Sequence, residues 1–329
     1  MTTAAPIPLD VVTLGEAMAL LVATTPGPLD TVHGYTLSTA GAETNVATGL
    51  ARLGLRVGWI SRLGEDAWGR YLHRTLAAEG IDCSRVAWDA DARTGMMVKA
   101  LATDGSDPQI EYHRRGSAAS RLTPEALDLD YLRGARHLHA TGVYPGVSAS
   151  CDAACERAIQ VMRAAGRSVS FDPNLRPTLW PSREVMVERI NALACQCHWV
   201  LPGQAEGEVL CGTRDPEGIA CFYLDRGVQL VVVKLGPDGA YWRWRGGQRA
   251  VPDAWGQVPA FAVAQVVDTV GAGDGFAVGV ISALLQGGRL PDEVPRAVRR
   301  GAWIGAQAVQ VRGDTEGLPS AAQLAAAGL

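Results

Sequence analysis

The sequence Asp268-Thr269-Val270-Gly271-Ala272-Gly273-Asp274 is followed by apolar side chains at helical spacing as far as Gly287. This pattern predicts a helix that begins at the glycines. Glycine lets the backbone approach an anion closely, and the first N–H groups of a helix have no acceptor inside it. The stretch therefore predicts an anion-binding turn with the Asp274 carboxylate beside it.

The segment before this turn, residues 261–267, is apolar and ends in β-branched residues, so we interpret it as a strand. An anion hole with a base beside it suits attack on a phosphate or another oxyanion-forming centre. A Walker loop needs a lysine after its last glycine, and a dinucleotide fingerprint needs glycine where Phe276 stands. Phosphate binding therefore remains, beside a purely structural role for Asp274 as a favourable charge in the first helical turn.

Strand-like runs alternate with helical segments over most of the chain. The predicted strands cover residues 11–15, 55–60, 137–141, 168–171, 198–201 and 228–234, and the predicted helices cover 44–53, 68–78, 150–165 and 183–193. Strands separated by helices are typical of βαβ units. The sequence therefore predicts an α/β fold with a mostly parallel sheet that is covered on both faces.

Two stretches interrupt this alternation. Residues 20–39 and 94–113, in rough bounds, have an extended pattern without helical periodicity. Each leaves the α/β pattern and returns to it, which predicts a small accessory sheet over the strand ends, such as a lid. With no internal repeat or low-complexity linker, we expect one domain over residues 1–329 with this lid inserted.

Composition excludes several classes of protein. The chain has 329 residues, 47% hydrophobic and 19% charged, as expected for a globular protein with a sizeable core. A net charge of −4 and the lack of a basic run argue against a nucleic-acid partner. No apolar run reaches membrane-spanning length and no secretory signal is visible, so we expect a cytoplasmic protein without a membrane partner.

The seven cysteines predict reduced thiols rather than a metal site. They are scattered through the chain, and the Cys195-x-Cys197 pair does not have zinc-ligand spacing. Reduced thiols are the usual state of cysteine in the cytosol.

Polar residues follow several of the predicted strands. Asp172 and Asn174 come after residues 168–171, Glu206 comes shortly after 198–201, and Lys234 ends the strand at 228–234. Each has a local explanation as a turn residue or a helix-start charge. Because ligands bind at the carboxyl ends of the strands in open α/β sheets, their convergence on one edge favours a binding site.

These positions together resemble the ribokinase-like carbohydrate kinases, the phosphofructokinase-B family. The C-terminal signature of that family fits residues 268–279, and its N-terminal motif fits residues 40–47 with Glu43 where most members have proline. Gly64-Glu65-Asp66-x-x-Gly69 also fits. The resemblance implies a three-layer α/β/α domain with a mostly parallel central sheet and a small β-sheet lid. It also implies a homo-oligomer, either a dimer through the lid or a higher assembly.

Within the family, four local features are similar to those of kinases for the sugar acid 2-keto-3-deoxygluconate. They are Gly41-Ala42-Glu43, residues 112–120, residues 172–180 and the Arg312-Gly313-Asp314-x-Glu316-Gly317 segment. The resemblance implies transfer of the ATP γ-phosphoryl group to the 6-hydroxyl of that sugar acid. Met97 and His113 stand where similar kinases can carry tyrosines.

The resemblance also implies a role for each candidate residue. Asp274 is the base, and Gly271, Ala272 and Gly273 donate N–H groups to the migrating phosphoryl. The implied sugar contacts are Gly41, Tyr112, Arg114, Arg176 and Asp314, with phosphate binding left open as the other role for Arg176. The implied ATP contacts are Asn174, Leu175, Lys234, Leu235, Gly236, Pro237, Asp238 and Gly239.

Metal ions complete the expected site. Mg²⁺ is expected to bridge the ATP phosphates and to reach Glu206 through water, and dependence on a monovalent cation near Asp268 is left open. Arginine holds carboxylates in a bidentate fork, and a carboxylate such as Asp314 accepts from hydroxyls, so this residue set suits a sugar acid.

Two other functions remain open. One is a kinase of the same family that acts on a neutral sugar, such as fructose or ribose, or on a nucleoside. The other is a catalytically silent protein that binds a sugar acid, although the retained Asp274 and both loop glycines argue against it.

Overall fold

The computed structural model describes residues 9–101, 108–246, 253–287 and 290–329. Within these ranges the strands form a sheet of nine and a sheet of four. In chain order they are β1 (Val11–Leu14), β2 (Met18–Ala23), β3 (Tyr35–Ala40), β4 (Val57–Gly64), β5 (Asp82–Asp89), β6 (Met96–Lys99), β7 (Ile110–His113), β8 (His137–Thr141), β9 (Ser168–Asp172), β10 (Trp199–Val200), β11 (Leu230–Lys234), β12 (Ala240–Trp244) and β13 (Ala254–Val258).

The nine-stranded sheet is mostly parallel. Its strand order is β13-β12-β11-β10-β9-β8-β1-β4-β5, and every pair from β11 to β5 is parallel. The hairpin of β11 and β12 and the edge strand β13 add antiparallel pairs at one side. The carboxyl ends of the parallel strands therefore share one edge of the sheet.

Helices cover both faces of this sheet. They are α1 (Ala42–Arg52), α2 (Ala67–Ala78), α3 (Leu129–Gly134), α4 (Ala149–Ala164), α5 (Arg183–Ala194), α6 (Gln204–Cys211), α7 (Pro216–Leu224), α8 (Ala272–Gln286), α9 (Val294–Ala308) and α10 (Ala321–Ala326). Among the residues described, no helix is both long and apolar enough to cross a membrane.

Alternation of side chains along the strands divides the core into two layers. In β11, Val231 and Val233 pack in a cluster with α3 to α7, whereas Leu230 and Val232 pack in a cluster with α1, α2, α8, α9 and α10. A strand buried on both faces needs apolar residues at both sets of positions, as the run of valines in β11 provides. The predicted three-layer α/β/α class is confirmed.

The four-stranded sheet, called the lid here, has the order β3-β2-β6-β7. Its strands come from the two stretches that interrupt the α/β pattern, and it has a small core of Met18, Leu20, Ala40 and Met97. Positions 102–107 of the second stretch lie outside the described residues. The division of the chain into one domain with an inserted lid stays a prediction.

The strand predicted at residues 261–267 is wrong. These residues belong to neither sheet, and Val266 is 52% exposed. The edge position is taken instead by β13, and the segment crosses to the loop after α9, where the N–H groups of Val267 and Asp268 donate to the Val309 carbonyl. The glycine turn before α8 therefore follows an extended connection rather than a strand.

Candidate active site

A cleft of about 530 Å³ lies between the lid and the carboxyl ends of the large sheet. The predicted residues that line it are Gly41, Tyr112, Arg114, Asn174, Arg176, Glu206, Lys234, Gly271, Gly273, Asp274 and Asp314. The remaining predicted residues, which are not among its lining side chains, are Ala272, Leu175, Leu235, Gly236, Pro237, Asp238 and Gly239. The structure thus brings most of the predicted site together from distant parts of the chain.

Asp274 is held from two sides in the first turn of α8. The Asn45 side-chain amide donates to its Oδ2 at 2.8 Å, and that of Asn174 donates to its Oδ1 at 3.2 Å. Only 7% of the residue is exposed. Burial raises the pKa of Asp274 to about 8, and the nearby carboxylates of Asp172 and Asp314 act in the same direction. A buried carboxyl with such a pKa is suited to proton transfer near neutral pH.

The turn before Asp274 places the N-terminus of α8 at the cleft. Gly271 is the N-cap of α8 with φ +81°, and a Cβ there would lie 2.5 Å from the Asp314 carbonyl oxygen. Both observations explain why glycine is needed at this position. Gly273 faces the cleft, with the Lys234 Nζ 3.5 Å from where its Cβ would be. The N-terminus of α8 thus presents backbone N–H groups beside a cation.

Lys234 and Asp172 form a buried ion pair at the carboxyl ends of β11 and β9. Their Nζ and Oδ2 atoms lie 2.6 Å apart. Burial opposes the charged form of lysine, but the carboxylates of Asp172 and Glu206 outweigh it and raise the pKa of Lys234. The ammonium therefore stays charged in the cleft. Residues 235–239 instead form the turn of the β11–β12 hairpin, in which the Leu235 N–H donates to the Gly239 carbonyl.

Arg114 is held by a carboxylate that sequence reasoning missed. Its Nε and Nη2 atoms lie 2.6 and 2.5 Å from Oε2 of Glu16, and Ser117 donates to the other oxygen of that carboxylate. Arg114 is 9% exposed and Glu16 2% exposed, and both line the cleft. The guanidinium is therefore fixed in orientation before a ligand arrives.

The other predicted sugar contacts line the cleft from the lid and the sheet edge. Tyr112 of β7 is 45% exposed, and Arg176 donates to the Leu175 carbonyl. Gly41 has φ +149°, and a Cβ there would lie 2.5 Å from the Glu16 carbonyl oxygen. Met97 lines the cleft.

Asp314 is a buried carboxylate with unused hydrogen-bonding capacity. Its Oδ2 accepts from the Asn45 amide at 3.5 Å, and its Oδ1 has no hydrogen-bond partner among the described residues. Burial raises the pKa of Asp314 to about 6, against the opposing effect of the Lys99 ammonium. A ligand hydroxyl would satisfy the unpaired oxygen.

Glu206 is already bound to the backbone on both oxygens. Oε2 accepts from the Gly203 N–H at 2.7 Å, which caps α6, and Oε1 accepts from the Leu175 N–H at 2.9 Å. Each carboxylate oxygen can accept more than one hydrogen bond, so Glu206 can still accept hydrogen bonds from water. Contact with Mg²⁺ through water fits this arrangement better than direct coordination.

Asp268 already has a cationic partner. The Lys99 Nζ, from the last residue of β6 in the lid, lies 2.5 Å from Asp268 Oδ2, and both side chains are less than a tenth exposed. The Val270 N–H donates to the other oxygen of Asp268. The place left open for a monovalent cation, beside Asp268, therefore contains a lysine ammonium.

Three important residues were not predicted: Asn45, Glu16 and Asp172 as the partner of Lys234. For Asn45 the signal that could have identified it is its position within the N-terminal family motif. For Glu16 the signal is its position directly after the first strand. Their roles depend on contacts with residues far along the chain, and one sequence does not reveal these.

Comparisons with known proteins identify the family of this chain. The model of the pfkB family of carbohydrate kinases matches residues 8–321. The 2-dehydro-3-deoxygluconokinase of Bacillus subtilis is 46% identical over 318 residues, covering 96% of this chain and 94% of the relative.

Two solved structures share the fold. The PfkB protein from Polaromonas sp. JS666 has a TM-score of 0.86 and 56% identity, covering 97% of this chain and 99% of that one. A candidate Ribokinase II from E. coli, solved in complex with ATP and Mg²⁺, has a TM-score of 0.85 and 25% identity, covering 97% and 98%. From the matched length and these identities, the chain belongs to the pfkB family of carbohydrate kinases.

Proposed function

We propose that this carbohydrate kinase transfers the γ-phosphoryl group of ATP to the 6-hydroxyl of 2-keto-3-deoxygluconate. The observation that carries the proposal is that one cleft holds a buried carboxylate at a helix N-terminus together with Arg114 and Arg176. The first feature suits phosphoryl transfer and the second suits a sugar that bears a carboxylate. The Bacillus subtilis relative has the name of such a kinase.

In the proposed reaction Asp274 accepts the proton of the attacking hydroxyl. The hydroxyl oxygen forms a bond to the γ-phosphorus while the bond to the ADP oxygen breaks. Phosphoryl transfer passes through a loose transition state, so the carboxylate orients the hydroxyl as much as it removes the proton. The amides of Asn45 and Asn174 fix that orientation.

The turn before Asp274 stabilises the charge on the transferring oxygens. N–H groups of Gly271, Ala272 and Gly273 are the proposed donors, and the Lys234 ammonium adds a positive charge beside them. The nucleoside would extend along Asn174, Leu175 and the hairpin turn at 235–239, which continues from Lys234.

Mg²⁺ would neutralise the ATP phosphates and retain several of its waters. We propose that Glu206 would accept hydrogen bonds from these waters, because backbone N–H groups hold its two oxygens in the cleft. A monovalent cation near Asp268 would have to share that carboxylate with the Lys99 ammonium.

The sugar acid would be bound from the lid side. Arg114 and Arg176 are the proposed partners of its carboxylate, and the unpaired Oδ1 of Asp314 is the proposed acceptor of a hydroxyl. Gly41 and Tyr112 would complete the walls.

We also propose a homodimer formed through the lid, in the cytoplasm. Tyr35 and Leu37 of β3 are 36% and 37% exposed, so a second copy would cover apolar surface. The cysteines in the described residues are free thiols, which fits a reducing compartment.

A coupled assay of ADP release tests the proposed activity. The panel contains 2-keto-3-deoxygluconate and its galactonate epimer, gluconate, fructose, ribose and adenosine. The proposal expects the highest kcat/KM on a 2-keto-3-deoxy sugar acid and phosphate on its 6-oxygen by NMR. Preference for fructose, ribose or adenosine would establish the neutral-substrate kinase instead, and sugar-acid binding without turnover would establish the silent binding protein.

A further inference from the structure

An ion pair joins the lid to the catalytic turn. Lys99 is the last residue of β6, and its side chain is 4% exposed where it meets Asp268, itself 8% exposed. Met97 and Lys99 are two residues apart in one strand, so they share the face of the lid that lines the cleft. A buried ammonium is costly unless a carboxylate pairs with it, so the ion pair holds this part of the lid against the segment before α8.

Asp268 transmits this contact to the turn that forms the anion hole. Its Oδ1 accepts from the Val270 N–H at 3.1 Å, and its own N–H donates to the Val309 carbonyl at 3.3 Å. Val270 directly precedes Gly271, the N-cap of α8. The charge that holds the Asp268 carboxylate therefore helps to fix the backbone at Val270, the residue directly before the phosphoryl-binding amides.

The surroundings of this carboxylate are strongly acidic. Asp314 lies near enough to Asp268 and Lys99 to respond to both charges, and Glu316 acts on Asp314 in the same direction as Asp268. Loss of the Lys99 ammonium would leave the carboxylates of Asp268, Asp314 and Glu316 without its opposing charge. We expect their mutual repulsion to displace the turn, because the turn contacts the Asp314 backbone at Gly271.

We propose that Lys99 is a positioning residue whose ammonium takes the place of a monovalent cation at Asp268, so that seating of the lid sets the phosphoryl-binding turn. The proposal rests on the proposed kinase activity. It makes wild-type turnover independent of potassium, because the protein supplies the charge itself.

The principal test is the variant Lys99→Met, assayed at constant ionic strength in tetramethylammonium, potassium and ammonium chlorides. We expect kcat in tetramethylammonium to fall about 10- to 100-fold, the size of effect that misplacement of a site can produce. Potassium or ammonium should restore a large part of that loss, with saturation, and wild-type kcat should be the same in all three salts.

Thermal unfolding gives a second measurement that does not depend on turnover. Ammonium or potassium bound in place of Lys99 should raise the Tm of Lys99→Met above its value in tetramethylammonium, because a ligand that binds the folded state stabilises it. The matched control is Arg62→Met, which also removes a cationic partner of a buried carboxylate, Asp89, but away from the cleft; Asp89 keeps Arg121 as a second partner. Its kcat and Tm should show no preference among the three cations.

Several results would overturn the proposal. They are wild-type kcat in Lys99→Met without added cation, a loss that no cation reverses in either kcat or Tm, and wild-type turnover that requires potassium. If Lys99→Met does not fold, the variant Asp268→Asn replaces it, since asparagine keeps an acceptor for the Val270 N–H. We expect Asp268→Asn to lower kcat by the same amount in all three salts. An unchanged kcat in Asp268→Asn would also refute the proposal. Failure of the proposed substrate appears separately, as a wild-type enzyme inactive on sugar acids, and leaves the Tm test intact.

Discussion

Asn45 and Asp274 lie 229 residues apart in the chain, and the Asn45 amide donates to the Asp274 carboxylate at 2.8 Å. The contact joins the first turns of α1 and α8, which pack together on one face of the large sheet. An amide donor favours the ionised form of a buried carboxylate, and Asn45 therefore opposes the burial that raises the pKa of Asp274.

Asp274→Asn should retain the fold and ATP binding but lower kcat at least ~10²-fold, the usual contribution of a positioned base. Asparagine keeps the shape of the side chain and removes its basicity. The measurement is steady-state turnover together with ATP affinity by calorimetry. Near-normal kcat in this variant would remove Asp274 from the mechanism.

The pH dependence of kcat/KM should contain an acidic limb set by Asp274. Its pKa is raised to about 8 by burial, so the free enzyme at neutral pH holds this carboxyl mostly protonated. Since the base must be ionised, kcat/KM should rise with pH and level off above about 8. Asn45→Leu should move the limb to higher pH, because the donor that favours the ionised form is lost. An unmoved limb would contradict this assignment.

The same carboxyl should make the wild-type enzyme less stable as the pH rises. The pKa of Asp274 is about 8 in the folded protein against an ordinary value of 3.8, so the folded state binds the proton more tightly. Stability from this group is therefore lost between about pH 4 and pH 8, by at most ~1.4 kcal/mol per pH unit. Asp274→Asn lacks this loss. Chemical denaturation should show its stability relative to wild type increasing from about pH 5 to pH 8.

Arg114→Lys should raise KM for the sugar acid ~10-fold or more while KM for ATP changes little, since hydrogen bonds to charged groups contribute ~1.5–3 kcal/mol. Lysine keeps a charge beside Glu16 but loses the planar fork. Alanine would leave the buried Glu16 carboxylate without its cationic partner and would cost ~3–5 kcal/mol of stability. Arg115→Lys, at the exposed neighbouring position, is the control. Equal changes in both KM values would refute a role of Arg114 in sugar binding.

Much of the fold was predictable because the spacing of apolar residues along a strand or helix indicates which side chains are buried. The strand at 137–141 agrees with β8 residue for residue, and the helix predicted at 150–165 differs from α4 by one residue at each end. Each lies in the apolar core on the face that its pattern indicates. The segment at 261–267 shows the limit of this reasoning. Its apolar residues favour a strand locally, but the N–H groups of Val267 and Asp268 donate to the Val309 carbonyl in the loop after α9, and this tertiary contact decided the outcome.

The candidate site was predictable where a motif combined local structure with chemistry. The glycines before Asp274 indicate a helix N-terminus, and the anion hole follows from that. The pairs Arg114–Glu16 and Lys99–Asp268 were not predictable, because each joins residues far apart in the chain. Arg114 follows β7 and pairs with Glu16 after β1, and Lys99 ends β6 and pairs with Asp268 before α8. Spacing along one sequence contains no information about such contacts.

The contact between Asn45 and Asp274 has a consequence for protein synthesis. In the described residues the last strand of the large sheet is β13, which ends at Val258, so the ribosome completes that sheet before Asp274 is made. Because chains begin to fold from their N-terminal part during synthesis, the Asn45 amide has no Asp274 carboxylate to donate to at that stage. Until α8 and α9 emerge, the part of that apolar face which α1 and α2 do not cover is exposed as well. A nascent chain stalled after β13 should therefore recruit chaperones, and a C-terminal truncation there should aggregate rather than give a less active kinase.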